Sequence, residues 1–444
     1  MSPDFVRRMS APVPRYTSYP TAAQFRNTVS EKDFAEALIE LEDETPFSLY
    51  VHVPFCKKLC WYCGCNMKVA RTKEPVIRYL EALEAELRTI AALGLSKHKI
   101  SYMHWGGGSP NILTGEQILA LTARIRHSFE IDATAEFAVE IDPREASASL
   151  AQALKLAGVN RVSIGVQDFD PTVQTAINRL QSFDVTSACV DSLRDAGINK
   201  INIDLVYGLP LQTRSGIERT VEQVLSLQPN RVTLFGYAHL PARFAHQSII
   251  DATTLPDSVE RFAQSQRAAR MLTAAGYVRI GLDHFALKDD PLAVGPVRRN
   301  FQGYTTDTSE TLVGVGPSAI SCIGSAYFQN ASSPTEYEER IAATGFATIR
   351  GVKLTDEDRV RRYVIAKLMC DFSYSESNVR ERFGAAASGV ILEGREMVEA
   401  DTAGLLEKVD DGFVVTPRGR PFVRSIAACF DTYLGSDMRC APAV

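Results

Sequence analysis

From residue 47 onward, short runs of apolar or alternating residues are each followed by a stretch with helical spacing. Strands are predicted over 47–53, 100–105, 136–142, 160–167, 200–207 and 231–238, where β-branched and aromatic residues are bounded by turn formers. Between the first two, Val76, Leu80, Leu83, Leu87 and Ile90 recur at steps that put them on one helical face. Ile217, Val221 and Val224 repeat the pattern after the break at Gly208-Leu209-Pro210. Strand–helix units in series predict a parallel sheet with right-handed crossovers. Six units fall short of the eight that close a full barrel. The expected fold is therefore α/β, a partial (β/α)6 TIM-like barrel, with a doubly wound sheet as the alternative.

The pattern changes on either side. Residues 1–45 are expected to form an N-terminal arm, with Pro14-Arg15-Tyr16-Thr17-Ser18-Tyr19-Pro20-Thr21 lying against the body and the first ten residues open to disorder. Residues 46–350 hold the catalytic domain: after the sixth unit come a helix at 257–275 and a strand at 277–285. Residues 286–335, rich in Gly, Pro, Asn and Thr, are expected to be loops beside the site. A helix begins at Thr355, and Asp410-Asp411-Gly412 between two apolar runs predicts a hairpin. Residues 351–444 thus read as a small, mostly helical, winged-helix-like domain.

Composition narrows the function. The 45% hydrophobic and 23% charged content suits a globular chain, and a net charge of -5 argues against nucleic acid as a partner and for a covering or gating role of the last domain. No signal peptide and no membrane span are expected, since no long apolar run occurs. Four of the nine cysteines fall in Cys56-Lys-Lys-Leu-Cys60-Trp-Tyr-Cys63-Gly-Cys65, which is no secreted disulfide framework. Cys189, Cys322, Cys370 and Cys429 read as small buried hydrophobes and Cys440 as part of a tail, so the expected compartment is the cytoplasm.

Clustered thiols on a loop that follows a strand point to a metal site. A structural zinc would need a fourth ligand from Cys65 or a nearby histidine. An iron–sulfur cluster held by three thiolates would keep one iron open, and Trp61 and Tyr62 would screen it from water. Gly106, Gly107 and Gly108 allow backbone to approach a ligand closely, although taken alone they are more simply a tight turn against the sheet. Polar residues recur at the C-terminal ends of successive strands: Glu140 and Asp142, Gln167 and Asp168, Asp204, Tyr237 and His239. That rim carries the active site in α/β barrels, and carboxylates there suit ribose hydroxyls. Nothing marks His52 as more than a strand residue, and His98, His127 and His246 carry no context.

These motifs resemble those of the radical S-adenosylmethionine (SAM) enzymes, and more closely the oxygen-independent coproporphyrinogen III oxidases (coproporphyrinogen dehydrogenases) of bacterial haem synthesis. The carrying segments include Arg15-Tyr-Thr-Ser-Tyr-Pro-Thr21, Cys63-Gly-Cys65-Asn66, His104-Trp-Gly-Gly-Gly108, Glu140-Ile-Asp-Pro-Arg-Glu145, Gly165-Val-Gln-Asp-Phe169, Asn300-Phe-Gln-Gly-Tyr304 and Cys429-Phe-Asp-Thr-Tyr-Leu434. The resemblance implies a [4Fe-4S] cluster on Cys56, Cys60 and Cys63, with Cys65 close by but not a ligand. It implies two SAM molecules, one meeting Tyr50, Gly107, Glu140 and Ile320, the other Tyr62, Gly108, Ser109, Gln167, Arg179, Asp204 and Ala238. Cys65, Tyr50, Glu140 and Gln302 are the residues it assigns to turnover. The implied reaction converts two propionates of coproporphyrinogen III to vinyl groups through a 5'-deoxyadenosyl radical, giving protoporphyrinogen IX. Reduced flavodoxin or ferredoxin as electron donor, an electron acceptor of unknown identity and a monomeric state are further implications. A haem-binding chaperone of the same superfamily is the rival reading, and the presence of Cys65 and of the segment around Gln302 counts against it. Departures are Ser109 for a usual threonine, Tyr62 for a frequent phenylalanine, Pro317 for a common valine, and a shortened run over 293–299.

Overall fold

Each of the six apolar runs forms a strand in the computed structural model, which describes residues 1–42, 44–435 and 443. They are β1 (Phe47–Val53), β2 (Lys99–Gly107), β3 (Glu130–Ile141), β4 (Arg161–Gln167), β5 (Lys200–Tyr207) and β6 (Arg231–Gly236). Six more strands complete one sheet: β7 (Val278–Ile280), β8 (His284–Ala286), β9 (Thr311–Val315), β10 (Ile320–Ile323), β11 (Ala326–Asn330) and β12 (Thr348–Lys353). The order across it is β12-β11-β10-β9-β1-β2-β3-β4-β5-β6-β8-β7. The stretch from β9 to β6 is parallel throughout, and the outer strands pair antiparallel.

Helices cross between the parallel strands and bury the faces their spacing marks. In Glu74–Ala92, Val76, Leu83, Leu87 and Ile90 are buried, and burying each such side chain fully is worth about 1.5–3 kcal/mol. Leu80 is only half-buried; Tyr79 takes the core position instead, where its hydroxyl donates to the His52 carbonyl at 2.8 Å. Ile217, Val221 and Val224 are all fully buried. The Glu74–Ala92 helix also buries Glu86, whose carboxylate accepts from Gly316 N, Asn330 Nδ2 and the Tyr337 hydroxyl at 2.6–2.8 Å.

Two expectations are corrected. Residues 286–335 are not chiefly loops: β9, β10 and β11 lie there, together with a hairpin of Arg298–Asn300 and Gly303–Thr305. All five residues of β9 are buried beside β1, so the strand shows no alternation to mark it. The expected strand at 277–285 is broken into β7 and β8, which fold back antiparallel at Gly281, φ +53°.

The arm is ordered from its first turn. Pro3–Met9 is helical, and Phe5 and Val6 are buried with Phe5 edge-on to Phe422. Tyr16 donates to Asp431 at 3.0 Å, and the Tyr19 and Thr432 hydroxyls share a hydrogen bond at 3.0 Å. Beyond 355 a second core gathers around Val360, Val364, Leu368, Phe413 and Phe422. There Leu406–Val409 and Gly412–Val415 pair across the Asp410-Asp411 turn. Cys440 lies outside the described residues. Among those described, no helix is long and apolar enough to cross a membrane.

Candidate active site

The cysteine loop leaves β1 at Pro54 and is pinned by groups far away in the chain. Phe55–Cys56 runs alongside Lys68–Val69. Trp61 N donates to the Ile177 carbonyl at 2.9 Å, and Asn178 Nδ2 donates to the Leu59 carbonyl at 2.8 Å. His246 Nε2 meets the Cys63 carbonyl at 2.7 Å, and Gln247 Nε2 donates to that of Tyr62 at 2.9 Å. Asn178, His246 and Gln247 were invisible to motif reading because each supports the loop from over a hundred residues away.

A cavity of about 630 Å³ opens on this loop at the C-terminal ends of the parallel strands. Its lining joins Cys56, Cys60, Tyr62, Cys63 and Cys65 to Gly107, Gly108 and Ser109, and continues through Glu140, Gln167, Arg179, Asp204 and Ala238. Tyr50, Gln302 and Ile320 lie outside that lining. Tyr50 sits one step behind it, stacked at 5.9 Å on His104, whose Nε2 is 3.0 Å from Glu140 Oε1. Ile320, like Tyr50 and Phe301, packs against an adjoining apolar cluster of Phe25, Leu312, Cys322 and Tyr327. Gln302 is in the tip of the 298–305 hairpin, its backbone N–H bonded to Asn300 Oδ1 at 2.9 Å.

The glycines satisfy both readings of the motif. A β-carbon would lie 2.6 Å from Glu140 Oε1 at Gly106, 2.5 Å from the His52 ring at Gly107, and 2.5 Å from the Phe55 carbonyl oxygen at Gly108. They are required by packing, and the same tight passage leaves Gly107 and Gly108 on the cavity wall. His52, read as a plain strand residue, is the hub beneath them. Its Nδ1 meets the Tyr50 hydroxyl at 3.0 Å and its Nε2 the Asn66 carbonyl at 2.9 Å, and burial lowers its pKa.

The electrostatics centre on Asp142. Arg144 Nη2 is 2.6 Å from its Oδ2 and Arg179 Nη1 is 3.4 Å away. Both guanidiniums also reach Cys60 Sγ at 3.6 Å. Burial opposes the Asp142 charge, but these arginines outweigh it and keep the pKa below its usual value. Cys56 is pushed up to about 12 by burial, while the Cys65 thiol holds Cys63 at about 7 by hydrogen bonding, with Arg179 assisting. Burial raises Asp204, whose oxygens accept from Ser163 at 2.7 Å and Asn202 at 2.8 Å. Asp168, by contrast, is structural: fully buried, it accepts from Gln212, Thr220 and Asp170 N.

Three soft thiols along one wall, two arginines against Cys60, and half-buried Trp61 and Tyr62 behind them match the needs of an anionic iron–sulfur cluster. Among the described residues, no three such side chains are gathered tightly enough around one point to form a coordination shell. The carboxylates of Glu140 and Asp204 and the donors of Gln167 and Arg179 ring the remainder of the cavity, suiting a ligand that is both zwitterionic and rich in hydroxyls.

Residues 50–224 match the radical SAM superfamily. An oxygen-independent coproporphyrinogen III oxidase of Bradyrhizobium diazoefficiens is 43% identical over 95% of this chain and 95% of its own length. The one from Escherichia coli is 41% identical over 96% and 94%. A solved coproporphyrinogen III oxidase from Escherichia coli, described as a radical SAM enzyme, superposes with a TM-score of 0.90 at 41% identity, covering 95% of this chain and 98% of the other.

Proposed function

The chain belongs to the oxygen-independent coproporphyrinogen III oxidases of the radical SAM superfamily, and from that premise we propose how its cavity works. The enzyme oxidatively decarboxylates two propionate side chains of coproporphyrinogen III without oxygen, giving protoporphyrinogen IX. In each round a β-hydrogen leaves to a 5'-deoxyadenosyl radical, CO2 departs, one electron passes to an acceptor, and a vinyl group remains. The observation that carries this reading is the single cavity in which Cys56, Cys60 and Cys63 face Gly107, Glu140, Gln167, Arg179 and Asp204.

Cys56, Cys60 and Cys63 would hold the [4Fe-4S] cluster, which when bound supplies the electron that splits SAM. Gly107 and Glu140 offer a backbone edge and a carboxylate to one SAM. Tyr50 and Ile320 would support that side from behind, consistent with the apolar cluster both pack against. Tyr62, Gly108, Ser109, Gln167, Arg179, Asp204 and Ala238 line the rest of the cavity and would take the second SAM. Cys65 faces the same cavity and is reserved for turnover, as is Gln302 on its hairpin. Arg144 and Arg179 balance the charge around Cys60, and the arm and the loops around it exclude water.

The finer architecture follows the same reading. Residues 46–350 form a partial (β/α)6 barrel, residues 1–45 an arm across it, and residues 351–444 a winged-helix-like cover. The protein works as a cytoplasmic monomer reduced by flavodoxin or ferredoxin.

Anaerobic reconstitution with iron and sulfide, followed by reductant, SAM and coproporphyrinogen III, tests the proposal. Protoporphyrinogen and 5'-deoxyadenosine are expected together. Absence of both overturns it, and tight binding of zinc by a colourless protein would make the cysteines a structural site.

A further inference from the structure

The substrate of this reading is a tetra-anion, so the cavity must meet negative charge. Five cations line it: Arg15, Lys58, Arg144, Arg179 and Arg243. Arg144 and Arg179 are committed to Asp142. Arg15 differs from both. It has no carboxylate within 4 Å among the described residues, and its Nη2 donates to the Gly236 carbonyl at 2.7 Å. Its guanidinium lies 5.6 Å from the Phe235 ring centre, where the arm meets the sheet. Arg15 is an exposed residue that lines this cavity and also a smaller neighbouring one beside Tyr207, Asp283 and Arg424.

Other arginines fix its place. Arg424 donates from Nε to the Pro14 carbonyl at 3.0 Å and also bonds that of Val13, while Arg299 Nη2 donates to the carbonyl of Arg15 itself at 3.3 Å. Asp283, the nearest source of opposing charge, is already engaged by His284 at 2.8 Å and by Arg299 at 3.7 Å. A guanidinium stays protonated in a protein, so Arg15 carries a full positive charge at this wall. Arg15 is thus a rigidly mounted cation facing the substrate space.

We propose that Arg15 seats a carboxylate of the substrate, specifically a propionate that is retained in the product. This rests on the coproporphyrinogen reading above. The choice of a retained propionate follows from the chemistry of leaving. An ion pair with arginine stabilises the carboxylate ground state, which would oppose release of CO2 from the reacting side chain. Held at one non-reacting corner, the tetrapyrrole is oriented with a different propionate towards Cys65 and the thiol wall.

The test titrates the reconstituted full-length enzyme with coproporphyrin III, the coloured oxidised form that cannot react, and with its tetramethyl ester. Arg15→Gln is expected to weaken binding of the free acid by roughly ten- to a hundredfold, the range for a lost charge-assisted bond. It should leave ester binding and substrate-free SAM cleavage unchanged. Arg15→Lys should recover most of the affinity. Arg243→Gln, in which an exposed guanidinium over Phe244 is removed, should change it less than about threefold. Wild-type affinity in Arg15→Gln, equal losses of acid and ester, or equal losses in the two variants would each overturn the seat. A wild-type enzyme that binds no coproporphyrin at all would instead overturn the reading beneath it.

Discussion

Gly107 lies against the imidazole of His52 so closely that a β-carbon at 107 would sit 2.5 Å from Cε1, at a φ of +107°. The backbone that lines the cavity and the hub behind it are therefore one packed unit. Gly107→Ala should lose SAM cleavage and lower stability by about 2–4 kcal/mol, combining overpacking with positive-φ strain. Denaturant midpoints and 5'-deoxyadenosine yield measure the two effects. Adding His52→Ala should restore part of the stability but not the cleavage, and strictly additive stability losses would show that the two residues do not press on each other.

Glu86 offers a pH test away from the chemistry. Burial raises its pKa from 4.5 to about 7, although Tyr337, Gly316 and Asn330 all donate to it. The folded chain then holds a proton that the unfolded chain releases between those values. The associated stability is full below about 4.5 and is lost as pH rises through about 7, a swing of about 3 kcal/mol. Glu86→Gln lacks this swing. Its urea midpoint should gain on the wild type between pH 4.5 and 8, and a constant gap would disprove the assignment.

Cys65 separates ligand from turnover residue. Cys65→Ser should retain wild-type iron and sulfide after reconstitution and lose product formation by about a hundredfold. Cys56→Ser, Cys60→Ser and Cys63→Ser should each lose the cluster. Iron loss in Cys65→Ser would instead make it a ligand.

Below the cavity, Arg161 and Arg231 share Glu136 and Asp290 in a buried quartet, with contacts of 2.9, 3.4, 3.8 and 2.6 Å. Asp290→Asn leaves two enclosed guanidiniums on one carboxylate. It should cost about 3–5 kcal/mol by chemical denaturation, while SAM cleavage per folded molecule stays unchanged.

What the chain revealed beforehand was what local periodicity and compact motifs encode. Ile217, Val221 and Val224 announce their helix because one face repeats, and Cys56, Cys60 and Cys63 announce chemistry because soft ligands crowd a short loop. β9 was hidden because a strand buried on both faces has no polar beat. His52 was hidden because its role lies in what rests on it, a glycine fifty-five residues later. His246 and Gln247 grip the cysteine loop through its carbonyls, which any sequence possesses. Asp168 misled for the converse reason: at a strand end beside Gln167, it turns inward to hold Gln212 and Thr220.

The contacts of Tyr16 with Asp431 and of Tyr19 with Thr432 span 415 and 413 residues. On the ribosome the strands that carry the thiols emerge long before the residues that clamp the arm, so one wall of the cavity is the last part of the molecule to be completed. A chain cut short within the final small core would still display its cysteines and glycines, yet its arm would be unanchored. The wall that Val13, Pro14, Arg15, Tyr16 and Thr17 give the cavity thus hangs on contacts made at the opposite end of the described chain, so damage to the last small core would be felt where the thiols face the arm.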